Sequence, residues 1–108
     1  MKSLKAIAGV LAAAALLPLQ AGAAEEGMAL FVEKCGMCHR AGGMGAGLLA
    51  RRNTPDKGLL EQRDGLTAEF IETVIRTGLG NMPRITRAEV SDAQLAIISS
   101  YLSRKDKK

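Results

Sequence analysis

The stretch "EKCGMCHRAGG", residues Glu33 to Gly43, holds both cysteines of the 108-residue chain and its single histidine within five consecutive positions. Two thiols separated by two residues and followed at once by an imidazole have the spacing of a c-type haem attachment signature. The chemistry sets that spacing. Cys35 and Cys38 would each add across one haem vinyl group to form a thioether, and His39 would then lie under the iron as its axial ligand. Other chemistries need residues the chain lacks. A zinc site takes four ligands, and beyond Cys35, Cys38 and His39 only carboxylates remain. An iron-sulfur cluster takes four thiolates, and the chain has two. A redox-active dithiol, in which the two-residue spacer lowers one thiol's pKa, is the serious rival; it sits on a strand-rich βαβ framework, and no segment here reads convincingly as a strand. To bind iron, His39 must be neutral, with its second ring nitrogen donating to a carbonyl that fixes its orientation. A backbone carbonyl within Gly45 to Leu49 is expected to serve, from Gly47 or Leu48.

Upstream of the cluster, "MKSLK" carries two lysines, "AIAGVLAAAALLPLQ" is apolar, and Ala21 to Ala23 form a small-residue A-x-A exit. These are the parts of a secretory signal peptide, so residues 1–23 are expected to be removed near Ala23/Ala24 and the mature protein to reside in the periplasm. The apolar run Ala6 to Leu19 is 14 residues long and contains Pro18, short of the roughly 20 residues that span a bilayer. No membrane anchor is expected after cleavage. The mature chain, residues 24–108, is one small domain, and domains of this size often depend on a disulfide, metal or cofactor. Without Lys2 and Lys5 it carries 13 basic and 11 acidic residues, and its aromatic residues are Phe31, Phe70 and Tyr101. A nucleic-acid binder needs a basic stripe or stacking aromatics, and this chain shows neither.

Three segments have helical periodicity. About Glu25 to Lys34, Gly27, Phe31 and Cys35 fall on one stripe that leads into the cysteine cluster. Thr67 is a candidate N-cap for a second helix, with Leu66 and Ile71 spaced as a hydrophobic staple and Phe70, Ile71, Val74 and Ile75 on one apolar face before Gly78 ends it. The third begins at Ser91 and Gln94, which have capping-box spacing, and carries Leu95, Ile98 and Leu102 with Ile97 and Tyr101 alongside; its end, "SRKDKK", is expected to fray into solvent. Thr86 and Glu89 have the same capping spacing and suggest one helical turn. Between the helices, "RAGGMGAGLLARRNTPDKG" and "GLGNMPRI" read as loops. So long a loop needs a job, and wrapping a flat cofactor is one.

His39 being the only histidine, the sixth iron ligand would come from a methionine or a lysine, or the distal site would be open. Met28 and Met37 lie too close to the cluster to reach the opposite face. Met44 follows His39 by five residues, too few to pass easily round a haem edge. Met82 follows it by 43 residues, in a loop between glycines and Pro83, from which a sulfur can be presented on the far side.

Taken together, Gly27, Phe31, Cys35, Cys38, His39, "NMP" at Asn81 to Pro83 and "SYL" at Ser100 to Leu102 resemble class I cytochrome c over essentially the whole of residues 24–108. The resemblance implies a small all-α fold in which N- and C-terminal helices cross, with Gly27 allowing close approach and Phe31 and Tyr101 packing at the crossing. It implies Met82 as distal ligand, the segment Thr67 to Thr77 as central helix, and one covalent haem c. Where the family often places a proline after the haem histidine, this chain has "GAGLLA". The implied function is electron transfer by Fe(III)/Fe(II) cycling, not catalysis, with Gly36, Met37, Arg40, Gly80 and Arg84 as candidate contacts for redox partners; Arg40 and Arg84 could instead bind the haem propionates. "RTGLGNMP" and "EVSDAQL" are similar to cytochrome subunits of periplasmic flavoprotein dehydrogenases of the p-alkylphenol-oxidising type, which makes such a dehydrogenase the expected donor and a terminal oxidase or another cytochrome the acceptor. The alternatives are a haem enzyme or gas-binding protein with an open distal site, and a haem-free dithiol oxidoreductase.

Overall fold

The first helix, α1, runs Leu19–His39, further in both directions than the sequence stripe suggests. Its N-terminal extension is rich in alanine, the strongest helix former, and at its other end the whole Cys-x-x-Cys-His cluster completes the last turn. The fold is that of a computed structural model, which describes residues 3, 9 and 19–107, with side chains in α1 from residue 22 onward. Most of the expected leader lies outside the described residues. No helix among them is long and apolar enough to cross a membrane.

Three more helices follow: α2 at Met44–Arg52, α3 at Ala68–Thr77 and α4 at Asp92–Leu102, with 3₁₀ turns at Pro55–Lys57 and Leu60–Gln62. The architecture is all-α, the arrangement of a small cytochrome c fold. α2 corrects the sequence reading, which made residues 40–58 a loop. The glycines disguise a run of helix formers, Leu48 to Arg52, and Asn53 closes the helix by donating from both its backbone N–H and its side-chain amide to the Leu49 carbonyl, each at 3.0 Å.

α1 and α4 cross over the core. Phe31 is fully buried there, with Ile98, Leu95, Leu102 and Val90 around it and Ile71 and Ile75 supplied by α3. The crossing is close because position 27 has no side chain. A Cβ built on Gly27 would lie 2.5 Å from Tyr101 Cβ and 2.9 Å from its Cγ, well inside the 3.5–4.0 Å at which carbon atoms pack. One turn further along, the Phe31 and Tyr101 rings lie 6.2 Å apart at 45°, within the range of favourable aromatic pairs.

Caps set the helix ends where the sequence predicts. Thr67 Oγ1 accepts from the Phe70 N–H at 3.1 Å. Ser91 and Gln94 form a reciprocal capping box, at 3.1 and 3.0 Å. Thr86 and Glu89 make the expected turn, the Glu89 carboxylate accepting from the Thr86 N–H at 2.9 Å while the Val90 N–H reaches the Thr86 carbonyl at 3.0 Å. The C-terminal tail, by contrast, does not fray. Arg104 stacks over the Tyr101 ring at 4.0 Å and donates to the Glu61 carbonyl at 3.3 Å, and Lys107 donates to the carbonyls of Leu60 and Arg63 at 3.2 and 2.6 Å. Those carbonyls belong to the Leu60–Gln62 3₁₀ turn and the residue that caps it, which have too few bonds of their own to use them all, and the tail cations supply the donors.

Candidate functional site

In the last turn of α1, Cys35, Cys38 and His39 stand at positions i, i+3 and i+4 and so share one helix face. Both thiols are free, Cys35 half-buried against the core and Cys38 exposed. Burial, reinforced by Cys38 beside it, pushes the Cys35 thiol up to about 11. A dithiol redox centre needs the opposite, a thiol activated at the positive N-terminal end of a helix; here the pair sits at the negative end of the dipole. Among the described residues no three of the histidine, cysteine and acidic side chains converge on a common metal position. The sulfurs and the imidazole therefore point to separate jobs on one face.

His39 is half-buried, and burial holds its pKa below the ordinary imidazole value, which leaves it neutral, the metal-binding form, at pH 7. Its Nδ1 is buried without a hydrogen-bond partner. The expected acceptor within Gly45 to Leu49 is not engaged, and α2 is the reason: in a helix these carbonyls face along the axis into their own ladder, as Leu49 does toward Asn53. What α2 offers the imidazole instead is proximity. A Cβ at Gly45 would come within 3.2 Å of His39 Cε1 and 2.8 Å of the Cys38 carbonyl oxygen.

The segment bearing Met82 is a tight hairpin. The N–H of Leu79 donates to the Met82 carbonyl at 3.0 Å and the Met82 N–H returns the bond at 2.9 Å, across a turn whose first central residue is Gly80 at φ 57°. At its foot Gly78, φ 76°, ends α3, and a side chain there would strike the Met82 carbonyl oxygen and the Arg84 nitrogen at 2.8 and 2.9 Å. Met82 itself is half-buried and packs on the same core as Cys35. Met44, the other distal candidate, starts α2 and is 72 % exposed. Met37 lies between the cysteines, 92 % exposed, and Met28 is also on the surface.

The apolar face expected on α3 divides in two. Ile71 and Ile75 enter the core, whereas Phe70 remains 51 % exposed and Val74 half-buried; Leu79, just past the helix, is 59 % exposed. Two thiols and a neutral imidazole on one face, a buried ring nitrogen without a partner, and apolar side chains left partly uncovered along α3 and just past it together fit a large, flat, apolar group carrying a metal. The groove of about 470 Å³ between Ala23, Ala24, Ala96 and Ile97 lies elsewhere, along the outer side of the α1–α4 crossing.

Residues 22–102 match the model of the family described as cytochrome c oxidase, cbb3-type, subunit III. The chain belongs to that family. It is accordingly a class I c-type cytochrome domain, one whose function is haem-based electron transfer and which is a carrier rather than an enzyme by itself. No curated protein and no solved structure matches the chain.

Around this cytochrome's site, one of the expected partner contacts is corrected. Gly36 is buried, the Arg40 side chain lying over it with Cδ 3.2 Å from where a Cβ would be. Met37, Arg40, Gly80 and Arg84 are exposed. Three residues escaped sequence reasoning. Arg52, the last residue of α2, brings Nη1 within 3.2 Å of the Cβ position of Gly80, so the His39 side and the Met82 side of the site meet there. Glu61 receives the Tyr101 hydroxyl at 2.5 Å and lies 3.9 Å from Arg40. Arg76 reaches the far end of the Met82 loop. A capping motif has a spacing to find it by, whereas these contacts join segments whose separation in sequence carries no signal.

Proposed function

We propose that residues 24–108 form a periplasmic monohaem cytochrome c in which Cys35 and Cys38 hold the haem as thioethers and His39 and Met82 are its axial ligands. When bound, the haem supplies a one-electron Fe(III)/Fe(II) couple, and thioether ligation opposite histidine favours a raised potential suited to electron transfer. The observation that carries the reading is the helical register of the cluster, which sets both thiols and the imidazole on one face of α1, with Cys35 and Met82 packed on a common core. The chain's own residues would do the rest. α1 fixes three attachment points on one rigid rod, Gly45 lets α2 close on the imidazole, and the uncovered side chains of Phe70, Val74 and Leu79 would keep water from the haem faces. Export rests on the basic, apolar and A-x-A sequence of residues 1–23.

Electrons would enter from a periplasmic dehydrogenase, a flavoprotein of the p-alkylphenol-oxidising type being the donor favoured by the "RTGLGNMP" and "EVSDAQL" segments, and leave to a terminal oxidase or another cytochrome. The oxidase side is supported by the family's own description as an oxidase subunit. Exposed Met37, Arg40, Gly80 and Arg84 are the contact positions.

Thiol titration of mature protein, denatured and reduced, tests the attachment: no free thiol is expected, and two would sink it. Met82→Ala should keep covalent haem but lose the low-spin His/Met spectrum and lower the potential; an unchanged spectrum would transfer the ligand role to Met44. N-terminal sequencing of the periplasmic protein should begin at or near Ala24. Copurification of a flavoprotein in fixed ratio would identify a dedicated subunit, and its absence a diffusing carrier.

A further inference from the structure

The loop that carries Met82 leaves α3 at Gly78 and is closed where it returns, at Ile85. Two hydrogen bonds make that closure. The Ile85 N–H donates to the Ile75 carbonyl at 2.7 Å, and Arg76 Nη1 donates to the Ile85 carbonyl at 3.1 Å. The other arm of the same guanidinium, Nη2, donates to Asp92 at 2.9 Å, on the first residue of α4. Arg76 thus ties together the end of α3, the return of the loop and the start of α4. Its side chain is 18 % exposed, and its Nε is buried without a partner. A buried donor left unsatisfied calls for an explanation, and the planar fork supplies one: the two bonds it makes fix a geometry that leaves the third N–H facing protein. Asp92 also accepts from Arg87 at 3.1 Å, but Arg87 is largely exposed and makes no bond to the loop.

We propose that Arg76 is a positioning residue for the axial ligand: by tying Ile85 to Asp92 it holds the Gly78 to Ile85 loop shut and so sets how often the Met82 sulfur leaves the iron. The inference rests on Met82 being that ligand. A neutral thioether is a soft donor and a weak match for ferric iron, so its persistence depends on how firmly the chain presents it. Only Pro83 and Arg84 separate Met82 from Ile85, and Gly78 leaves no slack at the foot of the loop. Release of the Ile85 carbonyl therefore leaves the loop's return held by the Ile75 bond alone and lets the ligand leave more often.

The test is cyanide binding to the ferric full-length holoprotein at saturating cyanide, where the rate is limited by loss of the methionine, recorded beside the Met-to-iron charge-transfer band and a denaturation curve. Arg76→Gln should raise the limiting rate about tenfold, the factor corresponding to one charge-assisted hydrogen bond. Arg76→Lys, a single point donor in place of a fork, should recover only part of it. Arg87→Gln, which spares the Ile85 bond, should stay within about twofold of the parent. Should Arg76→Gln prove too unstable, Asp92→Asn must give an intermediate rise. A limiting rate unchanged in Arg76→Gln despite a lowered denaturation midpoint would reduce Arg76 to a structural role and overturn the proposal, as would equal effects of Arg76→Gln and Arg87→Gln. Met82→Ala separates the two levels: a charge-transfer band that survives it removes the ligand assignment and the clamp with it, while loss of the band there alongside parent-like Arg76→Gln kinetics removes the clamp alone.

Discussion

Gly27→Ala sets two known magnitudes against each other at one position. In the interior of a helix, replacing glycine by alanine stabilises by about 0.8–1 kcal/mol through backbone entropy and propensity. At position 27 the new methyl would sit 2.5 Å from Tyr101 Cβ and 2.9 Å from Tyr101 Cγ, about 1 Å inside normal carbon contact. Neither partner can swing away, since Tyr101 Cβ is fixed to the α4 backbone and its ring is held by the Glu61 carboxylate and the Arg104 guanidinium. Relief must come from separating α1 and α4, which loosens Phe31, Ile98 and Leu102 together. Overpacking of this kind costs about 1–3 kcal/mol, so the expected net change is a destabilisation of about 0–2 kcal/mol, rising with Gly27→Val. The internal control is Gly47, in α2, where a Cβ would have nothing within 4 Å; Gly47→Ala should stabilise by about 1 kcal/mol. Guanidinium denaturation of the two holoproteins, followed by far-UV circular dichroism, reads the difference. If Gly27→Ala is stabilised as much as Gly47→Ala, the crossing is not limited by contact at position 27 and the packing argument fails.

Further expectations can be checked on the same material. Burial, with the Glu61 carboxylate beside it, raises the Tyr101 pKa above the ordinary value of 10.0; the folded state then holds the phenolic proton more tightly, so this stability is present below pH 10 and lost as pH rises through the folded pKa. Tyr101→Phe should flatten the alkaline limb of a stability-versus-pH curve, and an unchanged slope above pH 10 would refute the coupling. Ser91→Ala removes half of the α4 capping box and should lower stability by about 1 kcal/mol, measured by thermal melting; Ser91→Gly should cost less. Replacing Cys35 and Cys38 by alanine should leave a largely unfolded chain, and a cooperative, helical apoprotein would contradict the claim that haem completes the core.

What could be read from the sequence were features with a local period or a fixed spacing. The Thr67 and Ser91 caps and the Gly27, Phe31 and Cys35 stripe all lie within a few residues of themselves, and all stand in the fold, where the stripe's helix runs on through Cys38 and His39. α2 was hidden because glycine density, a good guide to loops, is used here for close approach to the Cys38 carbonyl and the His39 ring. The imidazole's partner was misjudged for the same reason: a loop has carbonyls to spare and a helix does not. Arg52, Glu61 and Arg76 were illegible because each acts on a segment distant in sequence, and an arginine in the last turn of a helix is equally well explained by the helix dipole alone.

The division of the α3 apolar face bears on why so small a chain would take a partner that is not polypeptide. Ile71 and Ile75 satisfy the core made by α1 and α4, yet Phe70, Val74 and Leu79 extend the same apolar character past it. Fully burying a side chain the size of Phe or Leu is worth about 1.5–3 kcal/mol, so leaving this edge exposed forgoes a stabilisation that a domain of this size can hardly spare. The polar bonds are arranged around the periphery instead, where Arg76 closes the Met82 loop and Arg104 and Lys107 fasten the tail to the 3₁₀ turn at Leu60–Gln62. They hold the frame in place without covering that edge. A flat apolar group entering between the α1 cluster and the Met82 loop would bury that edge, and under the proposed His39/Met82 ligation the burial that completes the fold and the ligation that tunes electron transfer would be the same event.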